Sequence, residues 1–211
     1  MLDQAIVMLD FETTGLSPAM GDRITEVAAL RIVNGRVTER FVSLINCNVR
    51  IPAFITSLTG ISQAMVDRAP PVSQVVPDLL DFIGSDPLSA HNASFDEKFL
   101  KAEAERLGMA CAHQSLVCSL KLSRRVFPGL PSYKLGQLSG QLGIRFRSAA
   151  HRAESDAEVA AEVLIHIGKH LGRHCNVAAV PPHLLVALNK ISAAKVPDYL
   201  SKYALANKLP E

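Results

Sequence analysis

The sequence lacks a long uncharged apolar run, and no stretch approaches the roughly 18 residues that a membrane-spanning helix needs. A signal-peptide pattern is also absent, because Asp3 and Asp10 interrupt the apolar N-terminal stretch. The four cysteines form no C-x-x-C pair, so reduced thiols in a cytoplasm are the expected state. We therefore expect a cytoplasmic protein with no membrane partner.

The sequence also lacks a marked excess of either positive or negative charge. The net charge is +2 and the isoelectric point is about 8.4, below the value of about 9 that marks many dedicated nucleic-acid-binding domains. An enzyme that holds a few nucleotides through metal ions needs no large basic face, so composition is neutral on a nucleic-acid substrate. With 48% apolar and 20% charged residues, the 211-residue chain fits one α/β domain with a short appendage.

Apolar patterning predicts an α/β fold, in which helices flank a mixed five-stranded sheet. Asn34-Gly35 lies between two β-rich runs and predicts a hairpin. Ser94 and Glu97 predict a capping box, and Gly108 the end of the same helix. The predicted strands are residues 5–11, 24–33, 37–45, 87–90 and 115–119, and the predicted helices are 72–83, 94–107, 134–142 and 154–171.

Two other segments carry weaker patterns. Residues 46–71 are predicted to be rich in loops. Past Gly172 the pattern changes, and the Pro181-Pro182 pair precedes two short helical patterns at 183–191 and 197–206. We predict a catalytic domain at 1–172 and a short helical C-terminal extension at 173–211.

Three acidic clusters lie at predicted junctions between elements. In the first, Asp10 and Glu12 are two residues apart on a strand and share a face. Two like charges there are costly unless a cation separates them, and Mg²⁺ prefers carboxylate oxygens. Asp96 lies in the first turn of a helix, and Asp156 follows His151 at the start of another. Each cluster alone is also explained by ordinary helix capping or a solvated strand end.

Together the clusters match a known pattern. The segments D-F-E-T-T-G, H-N-A-S-F-D and H-R-A-E-S-D resemble the three exonuclease motifs of the DnaQ-like 3′→5′ exonucleases in their DEDDh subgroup. The histidine five residues before the last aspartate marks that subgroup. The resemblance extends over about residues 4–171, and Thr25-Glu26-Val27-Ala28 and Leu58-Thr59-Gly60-Ile61 belong to it. It implies a ribonuclease H-like fold, and the chain resembles the proofreading epsilon subunit of bacterial DNA polymerase III.

The resemblance also implies the roles of individual residues. Four carboxylates would bind two Mg²⁺ or Mn²⁺ ions, with Asp10 bridging them, and His151 would act as the general base. The pocket for the terminal nucleotide would include an apolar or aromatic side chain that contacts a base. The metal ligands are Asp10, Glu12, Asp96 and Asp156, and the substrate-binding residues are Thr13, Gly15, Leu16, His91, Asn92 and Phe95.

Several alternatives remain open at this point. The expected substrate is a nucleic acid with a free 3′ end, preferably single-stranded DNA, and RNA is the alternative. A stand-alone enzyme, a polymerase subunit and an inactive module that binds nucleic-acid ends are all consistent with the motifs. The partners left open are a DNA polymerase subunit and a second copy of the chain, as a homodimer. Arg124-Arg125 and the pair around Phe146 are candidate phosphate contacts only if a nucleic-acid site exists.

Overall fold

The computed structural model describes residues 2, 4–146, 150–174, 177 and 179–207. Its centre is a five-stranded mixed sheet in the order β3-β2-β1-β4-β5. The first three strands are antiparallel neighbours, and β4 and β5 continue the sheet parallel to β1. The strands are β1 (Ile6–Thr13), β2 (Ile24–Val33), β3 (Arg36–Leu44), β4 (Leu88–Ala90) and β5 (Leu116–Cys118).

Helices lie on both faces of this sheet, which confirms the predicted α/β class. Helix α7 packs on β1 and β2, and α4 lies on the other face with α3. The helices are α1 (Ala53–Thr59), α2 (Gln63–Asp67), α3 (Val72–Ile83), α4 (Ala93–Arg106), α5 (Ser119–Val126), α6 (Leu135–Gln141), α7 (Ala153–His174), α8 (Pro182–Lys190) and α9 (Val196–Ala206).

The first half of strand β1, from Ile6 to Leu9, is apolar because both faces of the strand are covered there. Ile6 and Met8 belong to the core cluster beneath α7, whereas Val7 and Leu9 belong to the cluster beneath α3 and α4. Side chains alternate between the two faces of a strand. Continuous apolar character is therefore the pattern of a central strand, as predicted.

The predicted hairpin is present, and its turn explains the Asn-Gly pair. Asn34 and Gly35 both have positive φ, 51° and 70°, and Val33 pairs with Arg36 across the two-residue loop. Such a turn needs left-handed backbone at both positions, which asparagine and glycine adopt most readily.

Some local predictions were wrong. The stretch predicted to be loop-rich contains α1 and α2, and α5 was not predicted at all. The capping box does not form, because α4 begins one residue earlier and Ser94 lies inside it. Asn92 is the N-cap residue, and Glu97 accepts a hydrogen bond from Lys101 Nζ at 2.6 Å. The predicted end of α4 is confirmed by Gly108, whose φ is 69°.

The C-terminal helices share the main core. Leu184, Leu185 and Leu188 are fully buried in the cluster that contains β1 and α7. The side-chain amide of Asn189 accepts a hydrogen bond from the N–H of Cys118 at 2.7 Å and donates one to its carbonyl at 3.1 Å. Helix α8 thus covers β5, the last strand at this side of the sheet. Helix α7 crosses the boundary placed after residue 172, and that division stays a prediction.

Among the described residues, no helix combines the length and the apolar character that crossing a bilayer requires.

This packing predicts that the C-terminal helices unfold together with the sheet. Leu188→Ala should lower the free energy of unfolding by about 2–5 kcal/mol, because it leaves a cavity in a closed core. Urea denaturation followed by circular dichroism should show one transition at a lower midpoint. Leu205, which is 68% exposed on α9, is the matched control, and Leu205→Ala should change stability by less than about 0.5 kcal/mol. Two separate transitions would contradict the shared core.

Candidate active site

Strand β1 places the first two carboxylates. Asp10 and Glu12 follow Ile6 and Met8 at even positions, so they point to the face covered by α7. The pairing of β1 with β2 shifts register between Glu12 and Thr13, where the chain leaves the sheet. The two carboxylates therefore sit at the carboxyl end of a buried strand, on one face.

Helix α7 brings the third carboxylate to the same point. Asp156 lies in its first turn, and one carboxylate oxygen each from Asp10, Glu12 and Asp156 lie within 4.8 Å of one another. The backbone N–H of His151 donates a hydrogen bond to Asp156 Oδ2 at 3.3 Å. The first and third sequence clusters are thus brought together, although about 140 residues separate them.

Asp96 approaches from the other side of β1. It lies in the first turn of α4 and is 4% exposed. The N–H of Phe11, between the two β1 carboxylates, forms a hydrogen bond that stabilises the charged form of Asp96, and the charge of Asp96 acts on Asp10. Asp96 is outside the group of three oxygens described above, so it adjoins that group rather than forming part of it.

Burial raises the pKa of all four carboxyl groups, and neighbouring carboxylates add to the rise for Asp10, Glu12 and Asp96. Burial raises the pKa of Glu12 to about 8, with the charges of Asp156 and Glu26 adding to the rise. Burial also raises the pKa of Asp96 to about 8. The pKa of Asp10 is raised well above its ordinary value by burial and then by the surrounding carboxylates, and burial raises the pKa of Asp156. Arg152 lowers the pKa of Glu12 and His151 lowers that of Asp156, but neither offsets the burial of these carboxyl groups.

The donor set fits divalent cations. Carboxylate oxygens are the ligands that Mg²⁺ and Mn²⁺ prefer, and a cation would remove the repulsion that raises these pKa values. Asp156 Oδ1 is buried and has no hydrogen-bond partner among the described residues. A buried acceptor without a partner is costly, and a metal ion would supply the missing contact. The acidic cluster is therefore suited to a divalent metal.

His151 lies on an exposed turn at the start of α7. Its backbone is left-handed, with φ of 61°, which is uncommon for a residue other than glycine. His151 lowers the pKa of Asp156, as expected for an imidazole beside that carboxylate. Its place next to the three-carboxylate group agrees with its predicted position, while its role as a base stays a prediction.

Glu26 is a residue whose structural role was missed by sequence reasoning. It is the cross-strand partner of Glu12 on β2 and is 3% exposed. Arg152 donates to its carboxylate through Nη2 at 2.5 Å and through Nε at 3.1 Å, and the N–H of Ala153 donates at 2.9 Å. These bonds tie the start of α7 to the face of the sheet that carries Asp10 and Glu12. An acidic residue within a mostly apolar strand was the available signal.

The end of β1 and the loop that follows it carry three predicted substrate residues. Thr13 is buried and donates its hydroxyl to the Gly15 carbonyl at 2.6 Å. A Cβ on Gly15 would lie 2.4 Å from Asp22 Oδ1, and that carboxylate accepts the N–H of Ser17 at 2.9 Å. Glycine is needed at position 15 because any side chain there would collide with the Asp22 carboxylate. Leu16 is 77% exposed at the end of this loop.

Lys98 connects this loop to Phe95. Its ammonium donates to the Leu16 carbonyl at 2.5 Å and lies 4.9 Å from the centre of the Phe95 ring. The Phe95 ring is half-buried against Phe99, with centroids 5.1 Å apart. The structure therefore links Leu16 and Phe95 through one side chain, and no local sequence pattern indicates this lysine.

His91 and Asn92 lie where β4 ends and α4 begins. The ring of His91 contacts the Tyr133 carbonyl through Nε2 and the Ser119 hydroxyl through Nδ1, both at 2.9 Å. Because a carbonyl only accepts, Nε2 carries the proton and Nδ1 accepts from the hydroxyl. Burial lowers the pKa of His91, so the neutral ring is favoured. Asn92 is exposed and left-handed, with φ of 77°.

A mixed ribonuclease H-like sheet with carboxylates at the end of its central strand defines a class of nuclease folds. The RNase T family model, described as Exonuclease, matches residues 7–164. The chain belongs to this exonuclease family, and its motifs place it among the DnaQ-like members.

Among curated relatives, the chain is 43% identical over 157 residues to the 3′-5′ exonuclease DinG of Bacillus subtilis. It is 33% identical over 157 residues to the DNA polymerase III epsilon subunit of Aquifex aeolicus. Each match covers 74% of this chain, but it spans only 17% of DinG and 77% of the epsilon subunit.

Solved structures share the fold. Exonuclease X in complex with 5′ overhanging duplex DNA has a TM-score of 0.69 at 24% identity, over 87% of this chain and 99% of that one. The nuclease domain of 3′hExo, a DEDDh family member bound to rAMP, has a TM-score of 0.68 at 22% identity, over 82% and 94% of the two chains.

The raised pKa values predict how stability depends on pH and metal. In the metal-free protein, stability should fall as pH rises from about 4 to about 8, because the unfolded chain releases these protons first. Mn²⁺ at about 100 times its Kd should then raise Tm at pH 8 by about 5–10 °C. The rise should shrink towards pH 5, where protons compete for the carboxylates.

Differential scanning calorimetry with and without Mn²⁺ measures both effects. Asp10→Asn should reduce the metal-induced shift in Tm, while Asp198→Asn on α9, whose side chain is 72% exposed, is the control and should retain it. A wild-type Tm at pH 8 that does not respond to Mn²⁺ would contradict a metal site in this cluster.

Proposed function

We propose that the protein is a 3′→5′ exonuclease that uses two divalent metal ions to hydrolyse nucleic acid, preferably single-stranded DNA. The observation that carries the proposal is the convergence of carboxylate oxygens from Asp10, Glu12 and Asp156 within 4.8 Å, with Asp96 beside them. The name of the 43%-identical relative, a 3′-5′ exonuclease, supports the polarity. Mg²⁺ or Mn²⁺ ions bound here would stabilise the attacking and leaving oxygens of a phosphodiester.

The protein's own groups supply binding and proton transfer. Asp10, Glu12, Asp96 and Asp156 would hold the metal ions. His151 accepts the proton of the attacking water, and its exposed turn leaves the imidazole open to solvent. Attack on the last linkage releases a nucleoside 5′-monophosphate.

The terminal nucleotide would bind beside the loop after β1. Leu16 and Phe95 contact the face of the base, which every base offers, so base identity should matter little. Thr13, Gly15 and Asn92 shape the pocket through backbone conformation, and His91 supports its wall through two hydrogen bonds. Association with a DNA polymerase, homodimer formation and a cytoplasmic location stay predictions.

The polarity is tested with 5′-labelled single-stranded DNA. The label should remain on a ladder of fragments that shorten stepwise, and a strand with a blocked 3′ end should resist. A duplex should be degraded more slowly, because freeing its terminal nucleotide costs a few kcal/mol. Asp10→Asn is the inactive control, and a matched RNA strand reports sugar preference. Cleavage of a covalently closed circle by the wild type but not by Asp10→Asn would overturn the exonuclease proposal.

The base is tested with His151→Ala. We expect kcat to fall by about 10²–10⁴-fold, because a positioned general base contributes that much. The Mn²⁺-induced rise in Tm should persist in this variant, because the carboxylates remain. Single-turnover kinetics on a short single strand measure the chemical step. A wild-type rate of that step in His151→Ala would rule out this role.

A further inference from the structure

A groove lies beside the acidic cluster, on the side of β4 and β5. It has a volume of about 730 Å³, and its polar lining residues include Asn92, Arg124, Ser132 and Lys134. Arg124 comes from α5, and Ser132 and Lys134 come from the loop before α6. None of its lining residues is acidic.

The charge of this groove is uncompensated. Arg124 and Lys134 are exposed, and neither forms an ion pair with any residue that the structure describes. The groove between β3 and α7 differs, because Glu158 and Glu162 line it together with its arginines. There, Arg40 contacts Glu158 at 2.5 Å. Cations without acidic neighbours present their full charge to an anion.

Internal contacts hold the walls of the groove in place. The Tyr133 hydroxyl donates to the Phe127 carbonyl at 2.6 Å, and His91 donates to the Tyr133 carbonyl at 2.9 Å. The guanidinium of Arg124 lies 5.8 Å from the centre of the Tyr133 ring. Arg124 is therefore placed by its stacking partner rather than by an acid, and its N–H groups remain available for phosphate oxygens.

The groove and the acidic cluster meet at the start of α4. Asn92 lines the groove and is the N-cap of α4, whose first turn carries Asp96. Four residues of helix rise by about 6 Å, which is roughly two nucleotide steps along a stacked strand. The parallel strands β1 and β4 also end at the same edge of the sheet. Asn92 therefore joins the groove to the helical turn that carries Asp96.

We propose that this groove binds the phosphodiester backbone of the substrate strand, one or more nucleotides upstream of the scissile bond. Arg124 and Lys134 contact phosphate oxygens there, and Asn92 and Ser132 donate neutral hydrogen bonds. These contacts read no base, so they serve affinity rather than sequence choice. The inference rests on the proposed exonuclease function and adds the path of the strand outside the metal site.

The test compares two substrates. One is a 5′-labelled single-stranded oligonucleotide, and the other is the p-nitrophenyl ester of thymidine 5′-monophosphate, which has no upstream phosphate. In Arg124→Gln and in Lys134→Gln, the ratio of kcat/KM for the oligonucleotide to that for the ester should fall about tenfold. Lys121→Gln removes an exposed charge from the same helix outside the groove, and it should keep the wild-type ratio.

Salt dependence gives an independent readout. For each lost phosphate contact, the slope of log KM for the oligonucleotide against log salt should decrease by about 0.7. A wild-type ratio and slope in both groove variants would overturn the groove proposal while leaving the exonuclease intact. An equal loss in Lys121→Gln would overturn it as well, because general charge would then explain the effect. If the wild type hydrolyses neither substrate, the proposed function itself fails.

Discussion

The structure is organised around the repulsion among four acidic groups at the end of β1. A folded protein can keep such groups close only by protonating them or by supplying a cation. Burial, with a smaller contribution from neighbouring carboxylates, accordingly raises the pKa values of Glu12 and Asp96 to about 8. The sheet, α4 and α7 are stable through apolar cores on both faces of β1. Those cores offset the cost of holding the carboxylates together.

The ion pair between Glu26 and Arg152 keeps the charge of Glu26 from adding fully to the repulsion around Glu12. Glu26 faces Glu12 across β1 and β2, so by itself it would add to the unfavourable charge. Arg152 and the first N–H of α7 bind its carboxylate instead, and Arg152 lowers the pKa of Glu12. The Arg152 side chain is 41% exposed, so the pair gives little net stability, but it defines the position of the turn that carries His151.

The C-terminal helices contribute to the same framework rather than to a separate body. Asn189 completes the hydrogen bonding of Cys118 on β5, and Ser119 at the start of α5 follows directly. Helix α5 in turn carries Arg124, which lines the groove beside the acidic cluster. The segment beyond residue 172, which has no counterpart in the sequence motifs, therefore supports the wall that we infer to guide the strand.

The sequence by itself determined the strands, the Asn34-Gly35 hairpin and the identity of the acidic residues, because these features depend on local pattern and on motifs within a few residues. It did not determine how α4 begins, since a left-handed Asn92 replaced the capping box, and it did not find α5. Only the tertiary structure decided which charges meet. Glu26 and Arg152, or Leu16 and Lys98, are far apart in the chain. Their contacts follow from packing on the sheet, which has no local signature.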